Sequence, residues 1–418
     1  MRTAPGTAGQ ASRGPASVPL AERAGGPDLA RGLALAGIAL ANTVGWLHGH
    51  EWTVLLKQQD ATGLDKVADV LLALLVDNRG FPLFAMLFGY GLGILHRRSL
   101  AAGESPGRFL RRMLRRHAVL LVIGLLHGIL LFQGDILAAY AVIGMLCAVL
   151  MTRGRALLPI AGALCLPALA VWGWADATIG FGGGSGYAAA SAPDYLTGVA
   201  LRAPGELRGA ALAVVLDIGL LAPMALGALL ARLRLFEEVA ENRDLLVPMA
   251  RWGIVCGVLG AAPLTAVLLL DPAPENLADP TAVGIMGVVH QLTGLLGALG
   301  LAAAAALLAD RVRTAAHGGP ALPRLVTAAV HGVEALGAVS LSAYLAQSVL
   351  FLALFPPYTL DLGARLGSAG ACAIALAGWL VMIPLAAALR RAGRRGPMEL
   401  VLRTLAGSTS PRPAGGER

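Results

Sequence analysis

Charge is what this sequence has least of: Asp, Glu, Lys and Arg make up 14% of its 418 residues, where a soluble domain carries about 25%. So little charge cannot cover a water-soluble globule. With 56% hydrophobic residues and a mean hydropathy of +0.70, the chain reads as an integral membrane protein. Short strands of alternating hydrophobicity, the barrel signature, are absent, which leaves helices. Cysteine is scarce. Cys147, Cys165, Cys256 and Cys372 lie inside apolar runs without metal-ligand spacing, so they read as small core residues and not as disulfides. There is no phosphate-cradling P-loop, no Rossmann glycine pattern after a strand and no HExxH, and no internal repeat. Residues 1–27 lack the apolar core of a signal peptide and read as a disordered cytoplasmic tail, as do 404–418. Between them, 28–403 form one transmembrane domain.

The stretch from Arg108 to Met151 organises the rest. It opens with five arginines, Arg108, Arg111, Arg112, Arg115 and Arg116. An apolar run interrupted only by His127 follows, then Gln133-Gly134-Asp135, then a second apolar run holding Tyr140. This predicts a transmembrane hairpin pinned by arginines at one surface. An aspartate at a membrane-helix centre costs on the order of 2.5–3.5 kcal/mol on insertion scales, so His127 and Asp135 are functional suspects.

Further spans are expected at about 29–47, 81–95, 156–174, 210–231, 248–270, 283–308, 333–355 and 367–389. That makes an all-α polytopic protein of about ten helices. The segment 175–207, with its run of glycines, reads as a flexible external loop. An apolar stretch at 67–76 is too short to span and breaks at Asp77-Asn78-Arg79-Gly80 before FPLFAMLFGYGLGIL resumes. Broken backbone at membrane depth is tolerated only inside protein or along a cavity; the plainer alternative is an interfacial helix with Arg79 snorkelling to the surface. Arginines fall in alternate loops, at 97–116, 153–155, 232–243, 311–324 and 390–395, which puts both termini in the cytoplasm. The net charge of +8 is therefore a topology signal, and no nucleic-acid partner is expected.

On this orientation His127, Asp135, Asn42, His48, His50 and Arg79 converge toward the outer side. Each has a plain structural alternative. His127 can be an inter-helix hydrogen-bond donor, Asp135 an N-cap, His48 and His50 solvated loop residues, and Asp28 with Arg31 a surface ion pair. Ser340, Ser342, Tyr344, Gln347 and Ser348 in SLSAYLAQS suit helix packing, as does the Gly89-Tyr-Gly91-Leu-Gly93 face.

Five segments carry a resemblance: DLARGLALAGIALAN (28–42), FPLFAMLFGYGLGI (81–94), RRHAVLLVIGLLHGILLFQGDILAAYAVIG (115–144), SLSAYLAQS (340–348) and GPMELVLR (396–403). With these the chain resembles the YeiB-like membrane proteins, a family defined as a domain of unknown function (DUF418). That family is distantly similar to transmembrane acyltransferases such as heparan-α-glucosaminide N-acetyltransferase and the bacterial envelope O-acyltransferases. The similarity rests on the Asp28…Arg31-Gly32 opening, on Asn42 and on FP-x-F at 81–84. It implies a multi-pass protein of a bacterial-type cell membrane, embedded in the lipid bilayer. It also implies transfer of an acyl group from a cytoplasmic acyl-CoA-type donor, a co-substrate and not a tightly bound cofactor, to an envelope acceptor at the outer face. Joined to the polar residues that converge on the outer side, it gives a catalytic set of His127, Asp135, His48 and His50; Asp28, Arg31, Asn42, Arg79 and Tyr140 would bind substrate, without metal. The family's Asn before the tyrosine of SL-x-x-Y is Ala343 here. A proton-coupled transporter is the competing class, and a homodimer is left open.

Overall fold

A computed structural model describes residues 25–182, 186–270 and 279–407. The expected tails up to residue 24 and from 408, and most of the 271–279 loop, lie outside the described residues. Residues 25–27 and 404–405, placed in the tails by the sequence reading, are helical. The first helix, α1, already begins at Gly25, with Gly26 and Pro27 buried, and the last runs from Pro397 to Leu405.

Every regular element among the described residues is helical; a single β-bridge joins Trp52 to Gln58. After α1 (Gly25–Ala41) and a 3-10 turn come α2 (Gly63–Leu75), α3 (Gly80–Ala101), α4 (Pro106–Leu130), α5 (Leu137–Arg153), α6 (Leu157–Leu164) and α7 (Leu166–Thr178). The second half holds α8 (Tyr195–Leu216), α9 (Leu221–Arg232), α10 (Arg243–Leu270), α11 (Pro280–Ala316), α12 (Arg324–Ala338), α13 (Ser340–Leu354), α14 (Leu362–Arg365), α15 (Ser368–Arg391) and α16 (Pro397–Leu405). By length and composition six helical segments can cross a membrane, or eight if two bent pairs each count as one. Of the ten spans expected, α1 and α5 have 17 residues each, at the short end of what a bilayer needs. The chain is an all-α polytopic membrane protein.

Two bends correct the sequence-based spans. The expected span 333–355 is two helices meeting at 88° across Val339. Only α13 continues through the bundle. The preceding α12 lies across the first turns of α1, where a Cβ on Gly337 or Gly32 would overlap the carbonyl of Asp28 or Val333. The expected span 210–231 is bent by 57° at Asp217. Its first limb, α8, starts at Tyr195, so much of the stretch expected to be a flexible loop at 175–207 is helix. Asp194 caps α8, its side chain accepting from the Thr197 N–H at 2.9 Å.

Close packing comes from small residues. In α3 a Cβ on Gly89 would overlap the Met224 carbonyl, and one on Gly93 would press on Ala231 and Ala228. Gly89 and Gly93, four apart, therefore share the face that meets α9. On the other side Gly91 looks toward Arg31, whose guanidinium lies 3.5 Å from where a Cβ on Gly91 would stand.

Candidate functional site

The hairpin forms as predicted, α4 descending into the turn Leu131–Ile136 and α5 returning. Asp135 sits just before α5 and accepts the Ala138 N–H on Oδ2 at 3.1 Å, so it does cap the returning helix. Its other oxygen does something more. Oδ1 lies 2.7 Å from His127 Nδ1, and both side chains are fully buried. The opposite ring nitrogen, Nε2, lies 2.8 Å from the Ser348 hydroxyl on α13. A carboxylate on Nδ1 holds the proton there and leaves Nε2 to accept from Ser348. Tyr344, one turn earlier on α13, lays its ring against the imidazole at a centroid separation of 4.9 Å. Its hydroxyl lies 3.4 Å from Asp135 Oδ1.

Tyr344 also lines a cavity of about 270 Å³. The walls come from the end of α1 (Asn42), the strap before α2 (Leu55, Leu56, Lys57), the break at 76–80, the hairpin turn (Gly134, Ile136), α7 (Trp172, Asp176) and Tyr187. The hairpin turn and the break lie at the ends of α3, α4 and α5 away from the arginine-rich loops. Leu55 and Leu56 both hold positive φ, 56° and 57°. Consecutive branched residues in the left-handed region are costly, of order 1–3 kcal/mol each, and such strain clusters at functional sites.

The break between α2 and α3 is real and buried. Asn78 takes the left-handed conformation, φ 57°, which asparagine tolerates better than most residues. Arg79 is 4% exposed. Its guanidinium donates to the Asp77 carbonyl at 2.8 Å and to the Gly257 carbonyl. It is therefore fixed inside the protein and does not snorkel to the surface. Tyr140, entirely buried, donates to the Phe81 carbonyl at 2.8 Å, so it pins the start of α3. His290 on α11 is also buried here, its ring within 3.3 Å of the Asn78 amide and 3.1 Å of the Ala73 carbonyl. An amide donor on one nitrogen and a carbonyl on the other suit a neutral imidazole.

Lys57 is 1% exposed, with Nζ 2.8 Å from Asp77 Oδ2. Burial works against its charge, yet the carboxylates of Asp77 and Asp69 outweigh burial and hold the ammonium above the ordinary lysine range. In sequence Lys57 is one charge in a polar loop. Nothing local marks it as a buried partner of the break.

The remaining sequence candidates stand apart. His48 is buried with Nε2 3.6 Å from Asp361, and His50 pairs with exposed Asp60 at 3.2 Å; neither lines the cavity. Arg31 and Asp28 form an ion pair of 2.6 Å at the start of α1, and Arg31 also reaches the Leu87 carbonyl at 3.2 Å. Asn42 lines the cavity, and its side chain makes no hydrogen bond among the described residues.

Sequence reasoning missed several members. Ser348 was legible only as packing glue, because nothing in α13 alone says which helix it faces. Arg202 and Glu206 lay in the expected loop. Arg202 instead donates to the Ile129 and Leu130 carbonyls at 2.9 and 3.2 Å, satisfying the open end of α4. Glu206 packs on Gly128, where any Cβ would strike its carboxylate.

Fold and site together define a multi-pass helical membrane protein with a buried carboxylate–histidine–hydroxyl chain beside a polar cavity. Residues 230–409 match the family described as "Protein of unknown function (DUF418)". The chain is 30% identical over 128 residues to the uncharacterized protein YxaH of Bacillus subtilis, covering 29% of this chain and 31% of the relative. It is 37% identical over 131 residues to an uncharacterized 39.9 kDa protein in the amylase 3′ region of Bacillus acidopullulyticus, covering 31% and 34%. To the uncharacterized protein YeiB of Escherichia coli it is 32% identical over 130 residues, covering 29% of each. The matches thus span about a third of the length of these relatives. The resemblance to the YeiB-like DUF418 family holds.

Proposed function

We propose that this chain is a membrane-embedded acyltransferase of a bacterial-type cell membrane, carrying an acyl group from a cytoplasmic acyl-CoA-type donor to a glycan, lipid or small-molecule acceptor in the outer cavity. The observation that carries this reading is the Asp135–His127–Ser348 chain, with both imidazole nitrogens engaged at 2.7 and 2.8 Å. An imidazole so held acts as a general base, and the carboxylate stabilises the cation it becomes. Nε2 takes up the acceptor's proton by way of the Ser348 hydroxyl, which passes its own proton to the ring as it receives the acceptor's. Tyr344, on the cavity wall and donating to Asp135 Oδ1, holds the carboxylate on Nδ1. Asn42, whose amide is uncommitted, is the donor for the developing oxyanion. Arg79 is not used for that, since its guanidinium already serves two carbonyls. The arginine-rich face meets the anionic donor, with Arg31 at the mouth of α1.

A second reading, a proton-coupled transporter, draws on the buried Lys57, Asp69 and Asp77 at a broken helix. The two part in one experiment. Purified protein in nanodiscs is incubated with radiolabelled acetyl-CoA and an envelope lipid and glycan extract, and products are followed by mass spectrometry. Covalent acylation that disappears in His127→Ala supports transfer. Solute flux into proteoliposomes with no covalent product overturns it in favour of transport.

A further inference from the structure

The outer cavity holds more negative charge than its own cations balance. Three buried or half-buried carboxylates meet there: Asp77, Asp176 and, behind them, Asp69. Two cations face them, Lys57 through its ion pair with Asp77 and Arg79 through the Asp77 carbonyl. With all three carboxylates ionised, one negative charge is left over. Lys57 is already committed to Asp77 at 2.8 Å, and the neighbouring His290 is bonded as a neutral ring. Asp176 stands in the cavity wall, and its carboxylate makes no hydrogen bond or ion pair among the described residues. A carboxylate withdrawn from bulk water without a partner is costly. The wall of the same cavity also holds four aromatic residues, Phe81, Trp172, Tyr187 and Tyr344. Ring faces attract cations, and they do so more strongly where water is excluded.

We propose that the cavity binds an organic ammonium group, seated between the Asp176 carboxylate and the aromatic wall. The inference takes this cavity as the acceptor's seat, as above, and adds the acceptor's charge. An ammonium restores neutrality to the cluster, whereas a neutral hydroxyl compound leaves Asp176 unpaired. A volume of about 270 Å³ lies just below the usual small-molecule range of about 300–1,000 Å³, which suits a head group more than an extended chain. The ammonium belongs either to a free amine or to a lipid head group; both share this chemistry.

The test uses the full-length protein in nanodiscs of phosphatidylglycerol and ligand-observed NMR. Choline and ethanolamine are compared with their neutral isosteres, 3,3-dimethylbutan-1-ol and propan-1-ol. The cations should bind about tenfold more tightly than the isosteres, Asp176→Asn should bring each pair within about twofold, and Asp176→Glu should keep the preference. Equal binding of cation and isostere to the wild-type protein, or binding of neither, overturns the proposal whether or not the variants fold. A folded Asp176→Asn that keeps the full preference overturns the seat. Nanodiscs containing phosphatidylethanolamine separate the sources: there a lipid occupant abolishes ethanolamine binding, while a free amine binds unchanged. Ammonium binding without any acylated product would sink the transfer reading and leave this one standing. Acylation of neutral acceptors with no preference for cations would do the reverse.

Discussion

His127 Nδ1 and Asp135 Oδ1 lie 2.7 Å apart across a reversal of the chain, eight residues from one to the other. One end of that link closes the hairpin. The other sets the tautomer of a ring whose second nitrogen meets Ser348 on a helix more than two hundred residues away. The pair is therefore both a helix clasp and a candidate base, and substitution separates the two roles.

His127→Ala and Asp135→Asn should each lower transfer by roughly 10²–10⁴-fold, the usual worth of a general base. The double variant should lose little more than either alone, because groups acting as one unit are non-additive. Ser348→Ala should cost only about tenfold if the hydroxyl merely relays the proton, since a factor of ten is about 1.4 kcal/mol. Rates measured on folded, purified variants decide it. A loss at Ser348 as large as at His127 would make the serine a nucleophile, and full activity in His127→Ala would remove the base assignment.

Lys57→Met should be among the most destabilising substitutions outside the helices, at about 3–5 kcal/mol, because it strands the Asp77 carboxylate in the interior. Lys57→Met combined with Asp77→Asn should recover part of that loss in thermal melts. The pH sign follows from the raised folded-state value of Lys57. The ion pair's contribution is fully present below the unfolded value of about 10.4 and is lost as pH climbs through the folded one. The gap in melting temperature between wild type and Lys57→Met should thus stay flat from about pH 6 to 9. A gap that shrinks across that range would contradict a charged Lys57.

Much of this was legible in the sequence, and the reasons are specific. The hairpin was readable because arginines, an apolar run and Gln133-Gly134-Asp135 mark surface, span and turn in order. The break at Asp77–Gly80 was readable because four consecutive poor membrane formers interrupt an apolar run. The bend at Val339 was not. Hydropathy records how apolar a stretch is and carries no direction, and GAVSLSAY is apolar on both sides of the corner. Arg202 and Glu206 misled in the opposite sense, since two charges near a glycine-rich stretch look like a loop until their buried partners on α4 are known. Lys57 and Asp176 are distant in sequence from each other and from Asp77, so only the folded chain brings their charges into one cavity.

The glycines of α3 and α9 give a prediction about packing alone. Gly227→Ala should destabilise by about 1–3 kcal/mol through overpacking, since its Cβ would overlap the Met86 carbonyl. Gly91→Ala, with only the Arg31 guanidinium at 3.5 Å, should be near neutral or mildly stabilising because alanine favours helix. Melting temperatures in one detergent settle the order. Equal effects would mean the α3–α9 contact is looser than described.

The orientation drawn from the arginine loops is tested by labelling. A membrane-impermeant thiol reagent added to intact cells should modify Glu51→Cys and spare Arg111→Cys until the membrane is opened. The reverse pattern would place the cavity on the cytoplasmic side and remove the cross-membrane transfer built on it.

Glu399 on α16 accepts the Leu341 and Ser342 N–H groups at 2.8 and 3.2 Å, and so it stoppers the first turn of α13 at its sharp corner. Farther along that helix sit Tyr344 and Ser348, both of which touch His127. Leverage follows. The short terminal helix rests on the arginine-rich face, packed against α4 where Arg115 reaches the Leu405 carbonyl at 3.2 Å, yet its Glu399 holds the first turn of the helix that carries Tyr344 and Ser348. Residues 397–405 and the imidazole are thus joined through a single helix, α13.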